Sequence, residues 1–261
     1  MENIDNKIKF QGFKVDALSV RSYLLFTDMA IDAARLAGKY LQDCLSYQDN
    51  ARVILATGTT QIKFLEALIT LGGIDWSRIV FFHLDEYLGI EENHIGSFRR
   101  YLRDRVENVL KPKAFHYIQG DTIQPLDECD RYTKLLQEKP IDLCLLGIGE
   151  NGHLAFNEPS IADFNDTKAI KLVKLDNSTR QQQVNQGYFS QLDAVPQYAF
   201  TLTIPTICTA KKIFCMANGD RKSYIVKEML KGEISPKCPA SVLRYQANAT
   251  LFLDAGAANL L

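Results

Sequence analysis

Eight short apolar runs recur along the chain, and stretches of helical period lie between them. The runs fall at 51–58, 78–84, 115–119, 141–149, 169–175, 198–204, 212–217 and 249–254, and β-branched and aromatic residues mark them as strands. The run at 141–149 is apolar without alternation, as expected of a strand covered on both faces. Between the runs, 28–45 reads as an Ala-rich helix. In 61–71, Ile62, Leu65, Leu68 and Ile69 share one helical face. In 97–110, Phe98, Leu102, Val106 and Val109 are expected to face inward, with Arg99, Arg100 and Arg103 outward. Two more helices are expected at 125–139 and 220–232, the last stopped by Gly232.

Strands alternating with helices predict an α/β fold, a mostly parallel sheet with helices on both faces. No repeat or low-complexity linker divides the chain, so 1–261 reads as one domain, with 1–20 as an N-terminal extension or edge strand. A length of 261 residues is ample for a buried core.

Charge changes the picture little. The formal net charge is −1, so nothing in bulk electrostatics favours nucleic acid or an anionic membrane, and the arginines of 99–103 read as a solvated face. The N-terminus lacks the pattern of a signal peptide, and no apolar run approaches the ~20 residues of a membrane-spanning helix. A cytoplasmic protein is the expectation. The six cysteines form no C-x-x-C pair, and Cys144 and Cys215 sit in apolar runs as small core residues. No metal site is expected: the four histidines lack H-x-x-x-H spacing, and His83 with Asp85 has no third ligand in view.

The segment LLGIGENGHLAFNEP contains a G-x-G-x-x-G formed by Gly147, Gly149 and Gly152. A dinucleotide fingerprint needs a strand before it and a long helix after it. The strand is present. The helix is not, because Asn157, Pro159, Asn165 and Asp166 interrupt the residues after Gly152. A Walker A loop and a G-x-S-x-G elbow are also missing.

Polar stretches instead follow four strand runs: TGTT at 57–60, HLDEY at 83–87, GENGHLAFNE at 149–158 and NGDRKS at 218–223. In a parallel sheet these ends share one edge, where ligands bind. Thr57, Gly58, Thr59 and Thr60 open a helix and present backbone N–H groups and hydroxyls, a site for phosphate or simply a threonine cap. Lys222 lies near another helix start, where the dipole disfavours a cation unless an anion joins it. One of Asp85 and Glu86 can face a cleft as a carbon-acid base; a solvated turn is the alternative. His153, with Glu158 five residues on, has the makings of an oriented proton shuttle or of a structural hydrogen bond. Four such loops on one edge point to a catalyst acting on a small phosphorylated substrate.

These residues together resemble the glucosamine-6-phosphate deaminase/isomerase family. LDEYLGI at 84–90 and GIGENGHLAFNEP at 147–159 are its two signature blocks, LATGTT matches its phosphate loop, and the likeness runs from about residue 20 to the end. The resemblance implies a modified Rossmann-like fold without a dinucleotide, no cofactor, and conversion of glucosamine 6-phosphate to fructose 6-phosphate and ammonia. It implies that Asp85 moves the C2 proton toward C1, that His153 opens the pyranose ring, and that Glu158 orients the histidine. Residues 57–60 and Lys222 would hold the phosphate, Glu86 and Gly149 would join the substrate-binding set, and 160–185 would be a mobile lid. A small phosphorylated amino sugar is the implied partner, with homo-oligomers a possibility for such a chain.

The chain also departs from the family. Asn151 stands where some members carry an aspartate in a relay with the histidine, and Thr59 stands where a second glycine is common. Gln186 and Gly187 lie near the place of a lid arginine that binds phosphate in some members, with Arg180 upstream as a substitute. No arginine stands near Ala169, where allosteric members carry one. Two rival readings share the fold: a 6-phosphogluconolactonase, which the AFNEP and DEY blocks disfavour, and a silent sugar-phosphate-binding regulator.

Overall fold

The computed structural model describes residues 8–261. A hairpin of β1 (Phe10–Val15) and β2 (Leu18–Tyr23) leads into α1 (Phe26–Tyr47), β3 (Ala51–Leu55) and α2 (Thr59–Leu71). Next come β4 (Ile79–His83), β5 (Asp85–Tyr87) and α3 (Phe98–Leu102), which runs through a π turn (Arg103–Glu107) into α4 (Asn108–Leu110). After β6 (Ala114–Phe115) follow α5 (Pro125–Gln137), β7 (Leu143–Gly147), β8 (Ile170–Lys174), α6 (Asn177–Asn185), β9 (Tyr198–Leu202) and α7 (Ile204–Cys208). β10 (Lys212–Ala217), α8 (Ser223–Lys231) and β11 (Ala249–Leu253) close the chain. The N-terminal segment expected at 1–20 is thus an edge hairpin from Phe10 on, and residues 1–7 lie outside the described residues. No helix among the described residues is long and apolar enough to cross a membrane.

Eight strands form one sheet in the order β1-β2-β11-β10-β7-β3-β4-β6, parallel throughout except for β1. Alternate side chains of its strands enter two cores. Val53, Leu55, Leu143 and Leu145 pack with α1 and α2, whereas Ile54, Cys144 and Leu146 pack with α5 and α8. Both faces are therefore buried, which explains the apolar run of β7. The alanines of α1 serve close packing: Ala33, Ala37 and Gly38 are all buried on the face turned to the sheet and α2.

From β3 the chain steps outward through β4 and β6, then returns to place β7 on the other side of β3. The loops after β3 and β7 consequently diverge, opening a crevice at the carboxyl edge.

Three expectations need correction. The runs at 169–175 and 198–204 are strands, but β9 pairs antiparallel with both β8 and β5 in a separate three-stranded sheet. Their apolar residues Val173 and Ala199 serve a third core with Tyr87, Phe156 and Phe189. In the helix at 97–110, Val109 is exposed because the π turn inserts a residue and rotates the remaining face. Arg99 is buried rather than solvated: its guanidinium bonds Asp121 at 2.9 Å, Gln119 at 3.1 Å and the Ile90 carbonyl at 3.0 Å.

Candidate active site

The four polar loops meet in one cleft of about 480 Å³. Its floor is the crevice between β3 and β7, and residues 57–60, Asp85, Gly147, Gly149, His153 and Lys222 all line it.

One end presents groups that suit an anion. Helix α2 begins at Thr59 with Gly58 as its cap, and no side chain occupies its first N–H groups. Tyr101 donates to the Gly58 carbonyl at 3.0 Å, and Thr60 donates to Asn218 Oδ1 at 2.5 Å, tying this loop to the one after β10. The Gly219 N–H donates to buried Asp254, at 2.9 Å, which holds that second loop. Lys222 stands beside it. Burial, aided by Arg221 and opposed by Glu150, brings its ammonium down to about 8. A cation disfavoured by burial next to free helix N–H groups is an environment that an anion relieves.

The other end carries the acid and base groups. Asp85 opens β5 and is 8 % exposed, its carboxylate free of hydrogen bonds among the described residues. Burial and the neighbouring Glu86 hold its carboxyl well above the usual range. Successive strand residues point to opposite sides, and Glu86 accordingly faces away from the cleft. Its carboxylate accepts from Ser97 Oγ at 2.8 Å and from the N–H groups of Arg99, Tyr87 and Phe98 at 2.9, 3.0 and 3.2 Å. The structure therefore places Glu86 in a structural anchor, not in the substrate-binding set where the sequence reading counted it.

His153 lies across the cleft floor with Nδ1 3.3 Å from Glu158 Oε2. Glu158 is fully buried, and also accepts from Thr179 Oγ1 at 2.5 Å and from the Asn151 amide. Burial pushes its carboxyl up, but the His153 contact and the Thr179 and Asn151 hydrogen bonds outweigh that and bring it to about 2. It stays ionised and fixes Nδ1–H, leaving Nε2 for a ligand. Asn151 also accepts from the His153 N–H at 3.1 Å, so it braces the histidine on two sides without lining the cleft.

The glycines now have their reason. A β-carbon at Gly149 would overlap the His153 ring, and the Gly149 N–H donates to the His153 carbonyl at 3.0 Å. Gly152 has φ +88, a turn that L side chains resist. The motif packs a histidine flat on its own loop.

The AFNEP residues connect both ends of this chemistry. Asn157 is fully buried and donates to the Leu154 and Leu202 carbonyls at 2.9 and 2.8 Å. The Phe156 N–H donates to Thr201 Oγ1 at 3.1 Å, and Thr201 is the register partner of Asp85. Strand β9 thus sets His153, Glu158 and Asp85 in one frame.

Other expected residues fall elsewhere. Arg180 does not line the cleft: its guanidinium is buried against the Leu192 and Val195 carbonyls at 2.7 and 2.9 Å and bonds Asn177. It cannot reach a ligand there without leaving these partners. His83 is buried and neutral, held down to about 3 by burial, with Nε2 accepting from the Ile118 N–H at 2.8 Å, so it is no metal ligand beside Asp85. The outer wall is lined by Gln182 and Gln183, within the lid expected at 160–185, and by Ile95, Phe98 and Tyr188, which the sequence reading did not place in the site. Phe189 anchors that wall by stacking on His94, with centroids 4.9 Å apart. Only the apolar residues of the QGYF stretch hinted at it, because 177–190 has no strong helical period.

Comparison with known proteins agrees with this geometry. The model of the family of glucosamine-6-phosphate isomerases and 6-phosphogluconolactonases matches residues 26–252. The glucosamine-6-phosphate deaminase of an Exiguobacterium species is 35% identical over 236 residues, covering 90% of this chain and 91% of that protein. That of Clostridium acetobutylicum is 34% identical, covering 88% and 96%. A solved monomeric glucosamine-6-phosphate deaminase superposes with a TM-score of 0.86 at 31% identity, covering 93% of this chain and 99% of its own. The 6-phosphogluconolactonase of Thermotoga maritima, with a TM-score of 0.70 and 22% identity over 90% of this chain and 99% of its own, shares the fold. The chain belongs to the family of glucosamine-6-phosphate isomerases and 6-phosphogluconolactonases.

Proposed function

We propose that the protein is a glucosamine-6-phosphate deaminase, converting glucosamine 6-phosphate and water to fructose 6-phosphate and ammonia. The observation that carries this reading is the cleft itself: a buried, unbonded carboxylate and an oriented histidine face an anion-binding end within one space of sugar-phosphate size.

In this reading the phosphate lies on the N–H groups at 57–60 and on Lys222, which sets the sugar across the cleft. His153 moves a proton between the ring oxygen and the C1 hydroxyl, opening the ring to an aldehyde; Glu158 stabilises the imidazolium formed on the way. The aldehyde makes the C2 hydrogen acidic. Asp85 takes that proton, leaving an enolamine, and returns it to C1. The product is an imine at C2, which water hydrolyses to the ketone with release of ammonia. Burial makes Asp85 a stronger base than a surface aspartate and excludes water from the proton in transit. No electrons are gained or lost overall. We assign the lid role expected of 160–185 chiefly to α6 and the turn after it, because Gln182 and Tyr188 border the cleft opening.

An ammonia-release screen across hexosamine 6-phosphates, run beside a lactone-hydrolysis assay, tests the proposal. Ammonia from glucosamine 6-phosphate, with little from unphosphorylated glucosamine, is expected. Hydrolysis of 6-phosphogluconolactone without release of ammonia from any amino sugar overturns it.

A further inference from the structure

Beside Lys222 the NGDRKS stretch carries a second cation, Arg221, which the family resemblance leaves without a role. Arg221 lines the cleft next to Lys222, yet its side chain is 88% exposed. Its ion-pair partner is Glu150, which also lines the cleft, with Nη1 and Oε1 3.9 Å apart. That separation is beyond hydrogen-bond range, and an exposed pair of this kind is weak. No hydrogen bond from described residues holds either side chain. Arg180 is the opposite case, a guanidinium whose donors are spent on backbone carbonyls and Asn177. Arg221, unlike Arg180, has no donor committed to a hydrogen bond among the described residues.

Glu150 matters as much as Arg221. It lies in GENGH, one residue beyond Gly149, and acts on both cations: it pairs with Arg221 and favours the charged form of Lys222. Its carboxylate thus stands where a bound dianion would draw the same two side chains. The two anions would repel each other, so a ligand has to take the arginine from Glu150.

We propose that Glu150 and Arg221 form an exchangeable latch at the phosphate end: the ligand's phosphate displaces Glu150, and Arg221 then closes on it as the second cation beside Lys222. Guanidinium geometry suits two oxygens of one phosphate. The latch makes the site selective for a dianionic end, because a neutral sugar gains nothing from Arg221 and does not displace Glu150. The inference rests on the assignment of this end to the substrate's phosphate.

The test is a double-mutant cycle of Arg221→Gln and Glu150→Gln, read in two ways: the Kd of inorganic phosphate and the KM for glucosamine 6-phosphate. Arg221→Gln is expected to weaken both by about 5- to 20-fold, the range of a charge-assisted contact at a partly exposed site, with the change in KM exceeding that in kcat. Glu150→Gln is expected to tighten both by about 2- to 5-fold in the parent protein, the scale of an exposed ion pair, and by clearly less once Arg221 is gone, because only the effects of its charge on Lys222 and on the bound anion then remain. Phosphate affinity within twofold of the parent in Arg221→Gln overturns the latch. So does an equal effect of Glu150→Gln in both backgrounds, which would reduce Glu150 to general repulsion. Phosphate binding decides the matter even if the parent releases no ammonia, so loss of the proposed activity and loss of the latch are separate results.

Discussion

The two sheets supply the cleft in different ways. The eight-stranded sheet works through its loops: parallel strands end at the same edge, and the loops beyond them bring backbone N–H groups, hydroxyls and Lys222 to one place. The three-stranded sheet works through its strands. Asp85 sits within β5, fixed by antiparallel pairing to Thr201, and is buried. Loop ends suit recognition of an anion, since free N–H groups are available there. A strand suits a base, since its side chain is held by a ladder and kept from water. The contrast between Asp85 and Glu86 is the sharpest form of the lesson: adjacent acids on one strand, one left open to the cleft and one anchored by four donors.

The largest effect tests the strand. Asp85→Asn keeps the shape and removes the basic lone pair, so turnover is expected to fall about 10²–10⁴-fold, with exchange of the C2 hydrogen into deuterated solvent falling alongside. Glu86→Gln is expected to lower thermal stability while the folded protein retains exchange, because that carboxylate serves Ser97 and the start of α3. Exchange lost in Glu86→Gln and kept in Asp85→Asn would reverse the two roles.

Gly149→Ala tests whether the histidine's seat is set by its own loop. The added β-carbon pushes the His153 ring off its place. A displacement of about 1 Å at a reacting group costs on the order of 10²-fold in rate. A substrate analogue locked in the open form bypasses ring opening, and should regain much of its C2 exchange in this variant and almost none in Asp85→Asn. Equal loss with both analogue and closed sugar would show that the loop, and not the sheet, also places the base.

Lys222 tests the loop end. Lys222→Ala is expected to weaken substrate binding by ~1.5–3 kcal/mol, measured as KM or as Kd for phosphate. Its ammonium is brought down to about 8, so its positive charge is present below that pH and is lost above it. KM should therefore rise as pH passes 8, and Lys222→Arg should move that rise to higher pH. A KM unchanged from pH 7 to 9 in the parent argues against Lys222 as the phosphate cation.

The smallest effect at working pH concerns Glu158. Its carboxyl lies at about 2 in the folded chain, below the ordinary value of 4.5. A depressed carboxyl contributes stability above its unfolded value, and that contribution drains away as pH falls through the folded value. The parent should therefore lose melting temperature between pH 4.5 and 2 more steeply than Glu158→Gln. Parallel curves would mean that the Asn151, His153 and Thr179 contacts do not hold its charge.

Much of the large sheet was legible because its signals are local. A strand buried on both faces, such as Leu143–Gly147, must be apolar throughout, and an amphipathic helix such as α2 shows its face in its spacing. The four polar loops were legible for the same reason, being strand ends in an alternating pattern. The role of Gly149 was half legible: the motif was visible, but the contact it permits with the His153 ring is a matter of three-dimensional overlap. The π turn that exposes Val109 and the pull of Glu86 and Asp121 on Arg99 left no periodic trace, and a regular helix misplaced both.

The sequence by itself determined the α/β class, the parallel sheet, the edge on which chemistry collects, and the residue types available there. Each follows from chain-local physics: side-chain period, backbone freedom at glycine and proline, and helix ends with unpaired N–H groups. Only the tertiary structure decided that β5, β8 and β9 form a sheet of their own, that Asp85 rather than Glu86 meets the cleft, and that Arg180 is spent on hydrogen bonds while Arg221 keeps only a loose pair with Glu150. Those outcomes depend on pairing between segments far apart in the chain. An antiparallel partner at Thr201 sets which side of residues 85–87 is inward, and carbonyls at Leu192 and Val195 claim a guanidinium before any ligand can. Strand pairing and competition for hydrogen-bond partners are settled by the whole fold, and a single segment carries no record of who its partner will be.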